Sequence, residues 1–156
     1  MNYIFADLES VVAYLKKFAV ENVHGPSFYF GTIDQVIAAS TGDEEFHYPC
    51  VWLDLPKMLT EDNESANLME NYRFNVAAFY NAPSDDSSAK AKAYSDSLKI
   101  LYDLQKKIKH DTGKGIIAAS VSGNQKIPLN PALFNATHYG YYLDFEVGFF
   151  ANTFLC

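Results

Sequence analysis

Between Ser87 and His110 the chain spells out one long amphipathic helix, and a helix of that length constrains whatever surrounds it. Tyr94, Leu98, Leu101, Leu104 and Ile108, with Gln105 as a polar intruder, recur at the spacing of one helical face. Ile100 and Tyr102 widen the stripe. Lys92, Asp96, Lys99, Asp103, Lys106 and Lys107 mark the other side. Ser84, Asp85 and Asp86 offer side-chain oxygens to the free amides of the first turn, and Lys106, Lys107, Lys109 and His110 suit the negative end. Gly113 is a suitable stop. A helix with one greasy side needs a sheet to lie on.

The rest of the chain offers that sheet. Asp7 to Asn22 reads as a second amphipathic helix, with Leu8, Val11, Val12, Leu15, Phe18 and Ala19 on one face. Asp7 is its cap, and Ser10 stands where Glu or Gln would complete a capping box. Ser27 to Ser40 opens with the strand-like Phe28-Tyr29-Phe30. Gly31 permits a bend, and Ile33 to Ala39 suits a strand or a helical turn; a bent strand pair or one long strand is the expectation. Tyr48 to Leu55 alternates as a strand between Pro49 and Pro56, Lys57 to Ala66 is a polar connector, and Met69 to Asn81 alternates again. Gly115 to Ser122 reads as a strand, Gly123 and Asn124 as a turn, and Ile127 to Phe134 as irregular or edge structure. Tyr139 to Phe150 closes the sheet, and Phe154 and Leu155 keep the tail apolar. The expected fold is α+β: one domain over residues 1–156, a mostly antiparallel sheet of about four to five strands, and two amphipathic helices on one face.

Chemistry is harder to find. The net charge of −7, with no basic block, argues against direct nucleic-acid binding and against an anionic membrane surface. No apolar run approaches the ~20 residues of a membrane span, and Asp7 and Glu9 interrupt any signal peptide. The expectation is a soluble protein made in a cytoplasm. Cys50 reads as a buried thiol and Cys156 as a terminal one, with a disulfide between them open. His24, His47, His110 and His138 are scattered beside turns and read as solvated. Asp43-Glu44-Glu45 and Glu61-Asp62-Glu64 are acidic loops without calcium-loop spacing, and Thr112 to Gly115 lacks the upstream glycine of a phosphate loop. Asp144 and Glu146, two apart on one strand face, are the only pair placed for acid–base work. No catalytic, cofactor or metal residues are therefore assigned. Contact chemistry is better represented. Trp52, Phe79, Tyr142 and Phe150 share the polar side of the strands with Asp54, Arg73, Asp144 and Glu146. Aromatics mixed with charges suit a partner-binding surface, unless a second layer of the same chain covers them.

The element order, the strand Tyr48-Pro49-Cys50-Val51-Trp52-Leu53, the long strand ending at Tyr80-Asn81 and the closing strand entered through Tyr139-Gly140-Tyr141 resemble the tail-terminator (tail-completion) proteins of long-tailed phages and prophages. The resemblance spans nearly the whole chain, and the segment Gly123–His138 departs from it by its length and prolines. It implies a non-enzymatic virion structural subunit, assembled in the host bacterial cytoplasm. Copies would form a ring, expected to be a hexamer, that caps the tail tube and meets the head connector. No cofactor, no membrane and no sequence-specific nucleic-acid contact are implied. Thr41–Glu45 and Lys57–Ala66 are the candidate axial contacts. The alternatives are a stand-alone protein- or ligand-binding module, and an enzyme centred on Asp144 and Glu146.

Overall fold

The computed structural model describes the backbone of residues 7–62, 68–114, 120–130 and 137–150, and their side chains except those within 59–70, 120–125 and 149–150. Three helices and six strands follow in the order α1 (Leu8–Glu21), β1 (Ser27–Phe30), α2 (Ile33–Gly42), β2 (Cys50–Leu53), β3 (Lys57–Asp62), β4 (Leu68–Asn81), α3 (Ser87–Gly113), β5 (Ser120–Pro128) and β6 (His138–Phe150). The fold is α+β. The sheet runs β1-β2-β4-β6-β5, with β3 continuing the line of β2 along the same edge of β4. β1 and β2 are parallel and the other pairs antiparallel, so the sheet is mixed. Its spine is the β4–β6 ladder, in register from Met69 opposite Phe150 to Asn81 opposite His138.

Strand alternation divides the apolar residues between two cores. Val51, Leu53, Phe74, Val76, Ala78, Leu143, Phe145 and Val147 face one way, against Val11, Leu15 and Phe18 of α1 and Ile100, Leu101, Leu104 and Ile108 of α3. Cys50, Trp52, Ala77 and Phe79 face the other way, against Val36 of α2 and Leu129. Burial pushes the Cys50 thiol up to about 12, opposed by a hydrogen bond from Ser27.

Several expectations need correction here. Ile33–Gly42 is a helix because Thr32 and Gln35 form a capping box: Thr32 Oγ1 accepts from the Gln35 amide at 3.3 Å, and the Thr32 amide donates to Gln35 Oε1 at 2.9 Å. The helices therefore pad both faces of the sheet, three in number and not two. Lys57–Asp62 is a strand and not a connector, paired with β4, and its Lys57 is exposed. The turn expected at Gly123 and Asn124 is a register irregularity inside β5, between Ser122 and Gln125. The buried stripe of α3 runs through Ala93, Ser97, Ile100, Leu101, Leu104, Ile108 and Asp111, while Tyr102 lies outside it, 48% exposed. Cys156, the apolar tail, residues 115–119 of the expected strand, residues 63–66 of the expected connector, residues 131–134 and the side chain of Phe150 lie outside the described residues.

Asp111 is an acid on a buried face, and the reason is α1. Tyr14 donates its hydroxyl proton to Asp111 Oδ2 at 2.7 Å, Lys107 Nζ lies 3.3 Å from the same oxygen, and His110 Nδ1 lies 3.2 Å from Oδ1. Burial raises the carboxyl pKa, but the bonds from Tyr14, His110 and Lys107 outweigh it and hold the group below its ordinary value. The folded carboxyl therefore binds its proton more weakly than the unfolded one. Its contribution is present in full above the ordinary aspartate pKa of about 3.9 and is lost as pH falls through the lower folded value. Asp111→Asn is expected to cost about 1–3 kcal/mol at neutral pH. Urea titrations down to about pH 3 should show the wild-type and variant curves converging; a gap independent of pH would refute the assignment.

Candidate functional site

Beyond the end of α2 the second face of the sheet is polar. The alternation that sends Phe74 and Val76 into the α1/α3 core sends Arg73 and Asn75 out on the opposite side, and β6 does the same with Asp144 and Glu146. Registration sets these side chains in rows across the strands. Lys57, Arg73 and Glu146 form one row, and Asn75 and Asp144 the next. Arg73 reaches diagonally between the rows and grips Asp144 with two prongs, Nε to Oδ1 at 3.3 Å and Nη2 to Oδ2 at 2.9 Å. This hydrogen bond, together with the charge of Asp144, raises the guanidinium pKa further. Arg73 keeps 63% of its side chain in solvent while Asp144 keeps 13%, so the pair orders the surface more than it stabilises the fold.

Asp54 and Tyr142 mark the boundary with α2. Asp54 follows β2, and its Oδ1 accepts the Leu55 amide proton at 2.8 Å. Partial burial raises its pKa, while that bond and Lys57 oppose the shift. Tyr142 is pushed up to about 12 by burial, with the Asp54 charge adding to the effect. Both shifts work against the charged form at this margin.

The expected set of site residues is therefore split. Asp54, Arg73, Tyr142, Asp144 and Glu146 come together on the open part of the face. Trp52 and Phe79 do not join them: they are 1% and 0% exposed, packed in one cluster with Val36 of α2 and Leu129, with the rings of Phe46, Tyr48 and His138 against Phe79. As for acid–base work, Asp144 is held by Arg73, and Glu146 stands directly across the strand from the same arginine. Among the described residues no group of three or more His, Cys, Asp or Glu side chains is placed to hold a metal ion.

Two features escaped the sequence reading. His138 is not solvated but 3% exposed, with its Nε2 hydrogen-bonded to the Tyr48 hydroxyl at 2.5 Å and its ring 5.2 Å from that of Phe79. Burial lowers its pKa and keeps the imidazole neutral. Aromatic neighbours far apart in sequence left no local signal for it. The other feature is apolar surface at the margins. Leu55 and Met58 are 50% and 58% exposed where β2 passes into β3. A cleft of about 250 Å³ lies between the end of α1 and α3, lined by Phe18, Glu21, Asn22, Val23, Asp103 and Lys107. It falls below the roughly 300–1,000 Å³ of ordinary small-molecule sites.

Comparison with models of known protein families and with curated proteins finds no match to this chain.

Proposed function

We propose that this protein is a non-enzymatic assembly subunit, a tail-terminator-like protein whose copies form a ring that caps a phage tail tube and joins it to the head connector. The observation that carries the reading is the half-open sheet. Among the described residues, α2 and the segment after it cover the second face around Trp52 and Phe79 and leave Arg73, Asp144 and Glu146 as a charged strip on the rest of it, while Leu55 and Met58 are exposed where β2 passes into β3. Charge rows with an apolar margin are chemistry for meeting another protein. An exposed strand edge is a surface that an assembling subunit leaves for its neighbours to cover. On this reading the protein is made in the bacterial cytoplasm and works in the virion, with the tail tube and the head connector as its further partners.

The test is the state of the purified protein and its effect on tube ends. Light scattering and negative-stain microscopy should show a discrete ring that grows in with concentration, and rings seated on the ends of tail tubes. A monomer at the highest attainable concentration that also leaves tube ends bare would end the proposal. The stand-alone binding module has one observation in its favour, the cleft between α1 and α3. Its small volume and distance from the ordered charge strip make it the weaker reading.

A further inference from the structure

Charge is distributed unevenly between the two sides of the sheet. α3 carries six lysines against three aspartates, in a chain whose net charge is −7. Its solvent side forms one stripe at helical spacing: Lys92, Ser95, Lys99, Tyr102, Lys106 and Lys109, every one exposed. Lys126, reaching over from β5, sits 4.5 Å from the centre of the Tyr102 ring. Asp96 engages Lys92 and Lys99. Lys106, Lys109 and Lys126 have no ion-pair partner among the described residues. An aromatic ring half in solvent amid lysines has the composition of a contact centre.

The α2 side is the reverse. From Ile33 to Pro56 the sequence holds no Lys or Arg; Lys57 and Arg73 stand farther along the same face, Arg73 paired with Asp144. α2 carries Asp34 in its first turn and is followed by Asp43, Glu44 and Glu45, all exposed. The sheet stands between this side and α3, which pack on opposite faces. One molecule therefore cannot bring the two surfaces together, whereas a second copy can.

We propose that the lysine–tyrosine stripe of α3 docks on the acidic α2 side of a second copy of this chain, so that copies associate front to back. Two unlike patches meeting head to tail make a heterologous contact, the kind that closes into a ring when the rotation between copies allows. The inference rests on the assembly reading above and names the surfaces it uses. A polyanion such as nucleic acid is the competing occupant of a lysine stripe; the overall negative charge of the chain opposes it at long range.

The experiment uses charge reversal and complementation on the full chain. One variant carries Lys99→Glu, Lys106→Glu and Lys109→Glu; the other carries Asp34→Lys, Glu44→Lys and Glu45→Lys. All six positions are exposed, and circular dichroism confirms folding before use. In sedimentation at about 50 mM salt, the wild type should associate, and more weakly at about 500 mM. Each variant alone should associate at least about tenfold more weakly. An equimolar mixture should regain association, because each reversed surface now finds its complement on the other variant. An oligomer indifferent to both sets of reversals overturns this inference and leaves the assembly reading standing. A wild type that stays monomeric overturns this inference, and the assembly reading is then decided at the tube ends. Variants that fail to complement each other overturn it as well. So does a wild type that binds a fluorescent oligonucleotide at about 150 mM salt when the lysine variant does not, since the stripe would then belong to a polyphosphate.

Discussion

Trp52→Ala is expected to lower the unfolding free energy by about 3–5 kcal/mol, and the melting temperature by on the order of 10 °C. Trp52 is 1% exposed and sits at the centre of the smaller core, with Val36, Ala77, Phe79 and Leu129 in the same cluster. Its ring lies 5.9 Å from that of Tyr142. Its indole N–H donates to the Gly31 carbonyl at 2.8 Å, which ties the centre of the sheet to the link between β1 and α2. Truncation removes the largest side chain under α2 and leaves a buried carbonyl without its donor. Trp52→Phe keeps most of the ring and loses the N–H, so its cost should be nearer about 1 kcal/mol. Urea denaturation followed by circular dichroism measures both. Trp52 is the only tryptophan, so wild-type fluorescence reports on this contact directly. A loss below about 1 kcal/mol for the alanine variant would mean that α2 does not rest on Trp52.

Gly140→Ala should cost at least the upper end of the roughly 1–3 kcal/mol seen for overpacking. Gly140 lies opposite Phe79 in the β4–β6 ladder. A methyl group there would stand 2.0 Å from the Ala78 carbonyl oxygen and 2.8 Å from both Cα and Cβ of Phe79. Two of these three atoms are backbone, so no rotamer change relieves the overlap and the strands must separate locally. The Gly140 carbonyl also accepts the Leu129 amide at 2.9 Å, so the displacement carries over to the residue that closes the smaller core. Gly42→Ala is the control, with open space around its missing side chain, and should leave stability within about 0.5 kcal/mol. Equal stability of the two variants in thermal melts would refute the close approach.

The long apolar periods were legible from residues alone. Leu8 to Ala19 and Leu101 to Ile108 repeat over enough turns to signal helix, and the alternation in Met69–Asn81 and Tyr139–Phe150 is long enough to signal strand. What escaped was short or non-local. α2 has ten residues, and only Val36 of them is buried, so its period is faint; the Thr32–Gln35 capping box was the signal to follow. Ser10 completes the same kind of box with Asp7, through its hydroxyl in place of a carboxylate or amide. The site divided along the same line. Alternation placed Asp54, Arg73, Asp144 and Glu146 on the correct face, but it cannot say how far a helix covers that face. Trp52 and Phe79 went to the covered half for that reason. An aromatic at helical spacing ordinarily belongs to the buried stripe, yet Tyr102 stands in solvent among lysines.

β6 is the last of the described strands in sequence, yet it lies between β4 and β5. A chain leaving the ribosome exposes β4 and β5 before their shared neighbour has been made. Until His138–Phe150 emerges, both strands have a bare row of backbone donors and acceptors along what will become the middle of the sheet. Chaperone dependence during synthesis, and aggregation of chains that stop short of β6, follow from that order of manufacture.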